Sequence, residues 1–252
     1  MSLISTVYLN VTFYSAFLLF SAVAIPFMTA VVVVLSLFVP KRTTLRNFRA
    51  AIVIYGKVIT RLGYPLIRLK TEDRSGIDMT KGPFIFIMNH RSSSDPFLVS
   101  TLPLGAEMVQ VVNTWPFKLP VLGFFARLAD YIDINSISFD EFMEQGSRLL
   151  SQGVSIVFFP EGTRSGGLEM GQFRSAAFKL FLETRAPIIP AAISGNEDIP
   201  HKGSLRLNPG RVRVRYLPPV RWEDHEGSNA YKVKTAVRNM IGSQLVEMDG
   251  QT

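Results

Sequence analysis

The chain has 252 residues, 47% hydrophobic and 19% charged, which excludes an intrinsically disordered protein and suits one domain with at most a small attachment. It contains no cysteine and only three histidines, which excludes a disulfide-stabilised fold and thiolate metal sites, so we expect neither a metal ion nor a cofactor. The net charge of +7 is compatible with nucleic acid, an anionic membrane or a phosphorylated substrate as the partner.

The first 40 residues are apolar and contain no Asp, Glu, Lys, Arg or His, and four basic residues follow between Lys41 and Arg49. This pattern predicts a membrane anchor over residues 1–40, with the following domain on the cytoplasmic face of the membrane. A buried core helix of a soluble protein is the alternative. Pro26 lies near the middle of the segment and leaves two arrangements open, a single tilted span and a two-helix hairpin within one leaflet.

Residues 41–70 are predicted to link the anchor to the rest of the chain, because apolar residues recur at helical spacing, with basic residues between them, as far as residue 67. Residues 71–252 then alternate strand and helix patterns, which predicts an α/β domain with a largely parallel sheet flanked by helices. Strands are predicted at residues 84–88, 154–159, 187–193 and 211–216, and helices at residues 139–150, 173–182 and 231–246.

A polar segment, residues 89–95, directly follows the first predicted strand and contains His90 and Asp95. A histidine at a strand end is well placed as a general base, and a carboxylate that holds its ring supports that role. Two residues five positions apart lie on different faces of a regular helix, so we expect a turn between His90 and Asp95. Asp95 would then be the first residue of a helix, which Pro96 favours because proline is common in the first helical turn. The alternative is that Asp95 is only the N-cap of this helix.

A second polar segment, residues 159–167, follows another predicted strand and reads Phe-Pro-Glu-Gly-Thr-Arg-Ser-Gly-Gly. A glycine-rich turn with a hydroxyl group and an arginine suits a phosphate, which backbone N–H groups and a guanidinium can hold together. A surface turn is the alternative. The sequence has no Walker loop, no G-x-S-x-G motif and no dinucleotide fingerprint, which argues against a nucleotide hydrolase, a serine esterase and a nicotinamide enzyme.

Together, these two segments resemble the motifs of the glycerolipid acyltransferases of the 1-acylglycerol-3-phosphate acyltransferase (lysophospholipid acyltransferase) type. Residues 187–193, an apolar strand with a central proline, are similar to a further motif of this family. The resemblance implies a membrane-bound O-acyltransferase of phospholipid biosynthesis, which moves a fatty acyl chain from acyl-CoA or acyl carrier protein to the hydroxyl group of a lysolipid. The acceptor it implies is 1-acylglycerol-3-phosphate, with phosphatidic acid as the product.

The resemblance also implies roles for individual residues. His90 would remove the proton from the acceptor hydroxyl, and Asp95 would orient His90 and stabilise its charged form. Arg164 would be the main contact for an anionic head group. The full set of residues that the resemblance assigns to substrate binding is Asn89, Glu161, Gly162, Thr163, Arg164 and Ser165.

One position departs from the family pattern. The second motif of the family reads Phe-Ile-Asp-Arg, and its arginine helps to hold the acceptor phosphate, whereas Ile134 stands at the arginine position in this chain. Another lysolipid, with a phospholipid or an amino-acid head group, is therefore an alternative acceptor. Lys118 and Arg127 are candidates to supply positive charge nearby.

Two other classes of function are alternatives. A non-catalytic lipid carrier would need the apolar anchor but not His90 and Asp95. A nucleic-acid-binding protein would explain the net charge but not the charge-free first 40 residues, and we expect no nucleic-acid partner because the sequence lacks a recognisable reader module. His201 and Lys202 are predicted to lie either beside the site or in a solvated loop, and His225 at the surface.

Overall fold

The computed structural model describes residues 3–118 and 120–250, which form a seven-stranded sheet with helices on both faces and a long N-terminal helix. The strands are β1 (Ile67–Asp73), β2 (Ile85–Met88), β3 (Met108–Val112), β4 (Ile132–Asp133), β5 (Ser155–Phe158), β6 (Ile188–Ser194) and β7 (Gly210–Tyr216). The helices are α1 (Leu3–Ser36), α2 (Lys41–Ile59), α3 (Asp95–Leu98), α4 (Thr114–Phe117), α5 (Pro120–Leu128), α6 (Phe139–Ser151), α7 (Ala176–Thr184) and α8 (Ala230–Asp249).

The sheet has the strand order β1-β7-β6-β2-β5-β3-β4, and all neighbouring strands are parallel except β6 and β7. The largely parallel sheet flanked by helices is therefore confirmed, and β2, β5, β6 and β7 match the four predicted strands within one residue at each end. The sequence pattern does not predict β1, β3 or β4. Because β2, β5 and β6 are parallel neighbours, their carboxyl ends meet at one edge of the sheet, where ligands bind in such folds.

Both faces of the sheet are buried, which explains why its central strands are continuous apolar runs. In β2, Ile85 and Ile87 pack in the apolar cluster formed with α6, α7 and α8. Phe86 and Met88 point to the other face and pack in the cluster formed with α2 and α3. α6, α7 and α8 correspond to the three predicted helices, although α7 begins at Ala176 rather than at residue 173.

The N-terminal helix α1 is continuous over 34 residues and passes through Pro26. In the described part of the chain it is the one helix that is long and apolar enough to cross a membrane. The hairpin that would turn near Pro26 is not formed, because the proline removes one hydrogen bond without ending the helix. α1 also contacts the rest of the protein: the Asn10 side chain exchanges two hydrogen bonds with the Leu207 backbone, and Val32 packs with Phe48 of α2.

The amphipathic helix predicted from residue 41 ends at Ile59, so the prediction of a helix as far as residue 67 is wrong. A turn follows over residues 60–66 and contains Gly63 and Pro65, neither of which favours a continued helix. β1 begins at Ile67 and pairs with β7 along its whole length. Residues 41–70 are thus a helix and a turn that lead directly into the sheet.

Two of the basic residues that follow α1 fix α2 to the sheet domain. Glu107, just before β3, accepts a hydrogen bond from Nη1 of Arg49 at 2.6 Å and one from Nη2 of Arg42 at 2.7 Å. The Arg49 side chain is 3% exposed and also donates from Nε to the carbonyl oxygen of Ala129. Burial alone would raise the pKa of Glu107, but the two arginines outweigh this effect and hold that pKa below its usual value.

We expect Glu107→Ala to lower the free energy of unfolding by about 3 kcal/mol, because the buried Arg49 guanidinium then loses its nearer carboxylate and keeps only Asp130, at 3.6 Å. The matched control is Asp78→Ala, which removes an exposed carboxylate bonded to its neighbours Thr80 and Lys81 at the surface and should change stability little. Denaturant unfolding of the detergent-solubilised protein measures both variants. An equal loss of stability in the two variants would contradict the role given to Glu107.

The same ion pair predicts a pH dependence. Because the folded-state pKa of Glu107 lies below its unfolded-state value of 4.5, the carboxylate contributes its full stability above pH 4.5. That contribution is lost as the pH falls through the folded-state pKa. The stability difference between the parent protein and Glu107→Ala should therefore shrink below pH 4.5, as unfolding measured at a series of pH values would show.

Candidate active site

His90 lies in the turn after β2, and its side chain is 16% exposed. Its Nδ1 atom lies 2.7 Å from Oδ2 of Asp95. Its ring also packs against the ring of Phe159, with 4.8 Å between the two ring centroids. Within residues 3–118 and 120–250 no hydrogen bond to Nε2 of His90 is formed, so this nitrogen is available to a substrate hydroxyl.

The carboxylate of Asp95 is completely buried and accepts hydrogen bonds on both oxygens. Besides the contact with His90, Oδ2 accepts from the backbone N–H groups of Arg91, at 2.8 Å, and Ser92, at 2.9 Å. Oδ1 accepts from Nδ2 of Asn196. Four donors thus converge on one buried carboxylate and compensate for its removal from water. Such a carboxylate can orient an imidazole ring and stabilise its protonated form.

The turn over residues 89–94 folds back on itself, as the five-residue spacing requires. α3 begins at Asp95, with Pro96 in its first turn. Ser94 occupies the N-cap position, and the Asp95 carboxylate points back to the preceding turn. The alternative in which Asp95 only caps α3 is therefore wrong.

The segment after β5 holds the backbone of His90 on both sides. The His90 N–H donates to Oε1 of Glu161 at 2.7 Å, and the Ser165 N–H donates to the His90 carbonyl oxygen at 2.8 Å. Oε2 of Glu161 accepts from the N–H of Gly171 at 2.7 Å. Burial raises the pKa of Glu161, and the two backbone donors act against that rise. The sequence predicts that Glu161 binds substrate, whereas its buried carboxylate supports the His90 turn.

Gly162, Thr163 and Arg164 form the outer part of the same segment. Gly162 has a φ of +72°, a backbone conformation that a residue with a Cβ atom adopts only under strain, and a Cβ atom there would also displace the end of the Arg174 side chain, which lies 2.7 Å away. Thr163 is exposed and Arg164 is partly exposed. The Arg164 guanidinium forms no hydrogen bond or ion pair with the described residues, and its carbonyl oxygen accepts from Lys202 Nζ at 2.9 Å. An open guanidinium therefore lies on the segment that contacts His90.

Asn89 joins β2 to β6. Its Nδ2 donates to the carbonyl oxygen of Ile193 at 2.9 Å, and its Oδ1 accepts from the N–H of the same residue at 2.7 Å. The side chain is 1% exposed. Asn89 therefore orients the start of the His90 turn, and the substrate contact that the resemblance implies for it is not what its buried position favours.

The second family motif itself, residues 131–134, contains no basic residue. Ile134 packs against the apolar core, and Asp133 accepts hydrogen bonds from Thr114 and two neighbouring residues. Arg127 donates to the carbonyl oxygen of Phe117 at 2.8 Å and lies over its ring. Arg127 is thus committed elsewhere. Lys118, the other candidate, is exposed.

Two further asparagines contribute to the site without a signal in the sequence pattern. Asn196 is fully buried after Gly195, and it donates to Asp95. Asn113, after β3, donates to the carbonyl oxygen of Gly162 at 3.0 Å. Each residue follows the carboxyl end of a strand in the structure, β6 for Asn196 and β3 for Asn113, but neither belongs to a spacing pattern that would mark it in the sequence.

The other two histidines form no hydrogen bond or ion pair with His90 or Asp95 in the described part of the chain. His201 is exposed and contacts Asp198 at 2.8 Å, and the ring of His225 contacts Phe181. Lys202 borders the site through its bond to the Arg164 carbonyl oxygen. Among the residues with described positions, no group of three or more His, Asp or Glu side chains is arranged to hold a metal ion.

The fold and the site define a class of protein. It is an α/β domain with a His–Asp pair at the carboxyl ends of its parallel strands and with a partly exposed arginine on the neighbouring segment, an arrangement found at sites where ligands bind in such folds. The family model described as Acyltransferase matches residues 67–194, from the first residue of β1 to the last residue of β6. The chain therefore belongs to the acyltransferase family, and it is an acyltransferase.

Its relatives carry a consistent description. A 1-acyl-sn-glycerol-3-phosphate acyltransferase of Limnanthes alba is 33% identical over 220 residues, which cover 83% of this chain and 75% of the relative. The chloroplastic 1-acyl-sn-glycerol-3-phosphate acyltransferase LPAT1 of Arabidopsis thaliana is 27% identical over 186 residues, 72% of this chain and 50% of the relative. The crystal structure of the 1-acyl-sn-glycerophosphate (LPA) acyltransferase PlsC from Thermotoga maritima has the same fold, with a TM-score of 0.78, 22% identity and coverage of 98% and 97%.

We expect Asn196→Ala to lower kcat about 5- to 150-fold, because the buried Oδ1 atom of Asp95 loses its donor, a change worth about 1–3 kcal/mol. The matched control is Asn208→Ala, which removes one bond from an asparagine to the carbonyl oxygen of Asp198 in an outer loop. Steady-state kinetics with a thioester donor measure both variants. An unchanged kcat in Asn196→Ala would show that Asp95 does not depend on this donor.

Proposed function

We propose that this acyltransferase moves a fatty acyl chain from a thioester to the hydroxyl group of a lysolipid, with His90 as the general base. The observation that carries this proposal is the contact of 2.7 Å between His90 Nδ1 and the buried carboxylate of Asp95. This contact leaves Nε2 as the basic nitrogen and directs it away from the buried carboxylate. The arrangement suits the removal of a proton from a hydroxyl group that is about to attack a carbonyl carbon.

The reaction balances without a covalent enzyme intermediate. The acceptor oxygen attacks the thioester carbonyl carbon while His90 Nε2 takes the hydroxyl proton, and Asp95 stabilises the resulting imidazolium. The tetrahedral intermediate then collapses, the C–S bond breaks, and the thiolate leaves with the proton from His90. The ester and a free thiol are the products. The cysteine-free sequence is compatible with this direct transfer.

For the acceptor, we propose 1-acylglycerol-3-phosphate, with phosphatidic acid as the product. The printed names of the relatives from Limnanthes alba and Arabidopsis thaliana support this choice. Arg164 supports it as well, because its partly exposed guanidinium has no partner among the described residues and can hold a phosphate through two hydrogen bonds. Thr163 and the backbone of Gly162 lie beside it and complete a polar rim.

A second acceptor class is favoured by one observation. Ile134, at the position of the family arginine, is packed into the core, and Arg127 is bonded to Phe117. The site therefore offers fewer cations than a phosphate monoester acceptor usually meets. A lysophospholipid or an amino-acid-headed lysolipid, which presents less negative charge, is the alternative acceptor.

For the donor, we propose acyl-CoA or acyl carrier protein, both of which are anionic and complement the net charge of +7. We propose that α1 attaches the protein to the membrane, because its long apolar surface is mostly exposed. The basic residues after α1 support a catalytic domain on the cytoplasmic face. Arg42 and Arg49 are paired with Glu107, so the positive charge that favours the cytoplasmic face comes mainly from Lys41 and Arg46.

We expect His90→Ala and Asp95→Asn to reduce kcat on the order of 10³-fold or more, because the first removes the base and the second removes the charge that holds it. The measurement is thiol release from acyl-CoA and acyl carrier protein in detergent micelles with a panel of lysolipids. The matched control is His201→Ala, which removes an exposed histidine paired with Asp198 at 2.8 Å.

Acceptor-dependent thiol release that survives in His201→Ala but is lost in His90→Ala would support the proposal. Near-normal turnover of His90→Ala would refute the mechanism. A folded parent protein that binds lysolipid yet releases no thiol with any acceptor would instead favour the lipid-carrier function.

We expect Arg164→Ala to raise the KM for 1-acylglycerol-3-phosphate by about tenfold or more, since a charge-assisted hydrogen bond contributes about 1.5–3 kcal/mol. The KM for monoacylglycerol, whose head group is uncharged, should change little. Initial rates with both acceptors, at saturating donor, measure the difference. Equal effects on the two acceptors would place the phosphate contact on another residue.

A further inference from the structure

The side chain of Arg91, the residue directly after His90, points away from the reaction site into the protein. It is 1% exposed, and its two terminal nitrogens bind both oxygens of Asp249, at 2.9 Å and 2.7 Å. Nη2 also donates to the carbonyl oxygen of Leu168 at 2.9 Å. A bidentate pair of this kind fixes the direction of both side chains as well as their distance.

Asp249 is the last residue of α8. Its Oδ1 atom also accepts from Oγ of Ser194, at the end of β6, at 2.5 Å. The carbonyl oxygen of Met248, the residue before Asp249, accepts from Arg213 of β7. The end of α8 is therefore bonded to the turn after β2, to the end of β6 and to the middle of β7.

This position is electrostatically unusual. The carboxyl end of a helix carries partial negative charge and disfavours a carboxylate. Burial would also raise the pKa of Asp249, but its bonds to Arg91 and Ser194 outweigh burial and lower that pKa. The ionised carboxylate of Asp249 is thus stabilised by Arg91 and Ser194, whereas its position at the carboxyl end of α8 is unfavourable for the helix itself.

Arg91 connects this helix end to the reaction site through its own backbone. The N–H of Arg91 is one of the four donors to the Asp95 carboxylate, at 2.8 Å. Its guanidinium, through the Leu168 carbonyl oxygen, also reaches the loop that continues from the Arg164 segment. A residue whose side chain is fixed by α8 therefore supplies a backbone donor to the acid that orients His90.

We propose that Asp249 is a positioning residue for the reaction: through its ion pair with Arg91 it fixes the backbone of the turn that carries His90 and Asp95. This inference rests on the proposed function, since it concerns the geometry of the same base. Asp249 does not contact the reacting atoms. Its removal should therefore change the rate of the chemical step and leave substrate binding nearly intact.

The test compares Asp249→Asn with Glu247→Gln in the full-length protein. Both substitutions remove one charge from the last turn of α8, but Glu247 pairs with Arg215 and Arg74, away from the His90 turn. We expect Asp249→Asn to lower kcat about 10- to 100-fold, with KM for donor and acceptor within about threefold, because small displacements of a catalytic group have effects of this size. We expect Glu247→Gln to keep kcat within about twofold.

A double-mutant cycle separates positioning from general destabilisation. Arg91→Lys breaks the same bidentate pair from its other side. If the two residues act only through each other, the double variant Arg91→Lys/Asp249→Asn should be as active as the less active of the two single variants. Asp249→Glu, which restores the charge, should recover part of kcat. The proposal would be overturned if the fold-losses of kcat in the two single variants multiplied in the double variant. It would also be overturned if the loss of kcat equalled the loss of folded protein measured by thermal unfolding.

A spectroscopic readout keeps the test independent of the proposed function. The proton between His90 Nδ1 and Asp95 gives a strongly downfield NMR signal when the hydrogen bond is short, and His90→Ala assigns it. This signal should shift or disappear in Asp249→Asn and persist in Glu247→Gln, whatever the substrate is. An unchanged signal in Asp249→Asn would refute the positioning role, whereas an inactive parent protein with the expected shifts would refute only the acyl-transfer assignment.

Discussion

The buried carboxylate of Asp95 is the constraint on which the arrangement of the site depends. A carboxylate taken out of water is stable only if donors replace the water, and here four donors do so. Three come from the turn that contains His90, and the fourth comes from Asn196, after β6. The requirement to satisfy one charge thus fixes the turn after β2, the start of α3 and the end of β6 relative to one another.

The parallel sheet makes this convergence possible. The carboxyl ends of β2, β5 and β6 lie side by side, so short turns after each strand reach the same point without long loops. The segment after β5 uses this proximity to bind the backbone of His90 through Glu161 and Ser165. Asn89 binds the backbone of Ile193, near the end of β6, in the same way. Asn89, Glu161 and Ser165 therefore fix the backbone around His90, and only a few atoms of the site are open to a substrate.

The sequence predicts the parts of the fold that produce a local pattern. β2, β5 and β6 are continuous apolar runs because both of their faces are covered, and the amphipathic helices α6 and α8 follow the helical period closely. β4 has only two residues and β1 is mostly polar on an edge, so neither gives such a pattern. α2 ends earlier than its apolar period suggests, because Gly63 and Pro65 override that period.

The candidate site was predictable in composition but only partly in geometry. The spacing of His90 and Asp95, with Pro96 after them, was enough to predict that a turn brings the pair together. The sequence did not show that the side chains of Glu161 and Asn89 point into the protein. Their direction depends on partners about 70 and 100 residues away in the sequence, His90 for Glu161 and Ile193 for Asn89. Asn196 and Asp249 were not predictable at all, since a single polar residue without a spacing pattern carries no signal.

The buried arginines also determine how the protein responds to salt. Arg49, Arg91 and Arg215 are each almost fully buried, and each binds at least one carboxylate, Glu107, Asp249 and Glu72 respectively. Such pairs add no net charge, so the excess of +7 resides in exposed side chains. Ions in solution screen exposed charges over a Debye length of about 8 Å at physiological ionic strength but hardly reach buried pairs. Rising salt should therefore weaken the attraction of the protein to anionic surfaces, while the buried ion pairs that stabilise the fold are little affected.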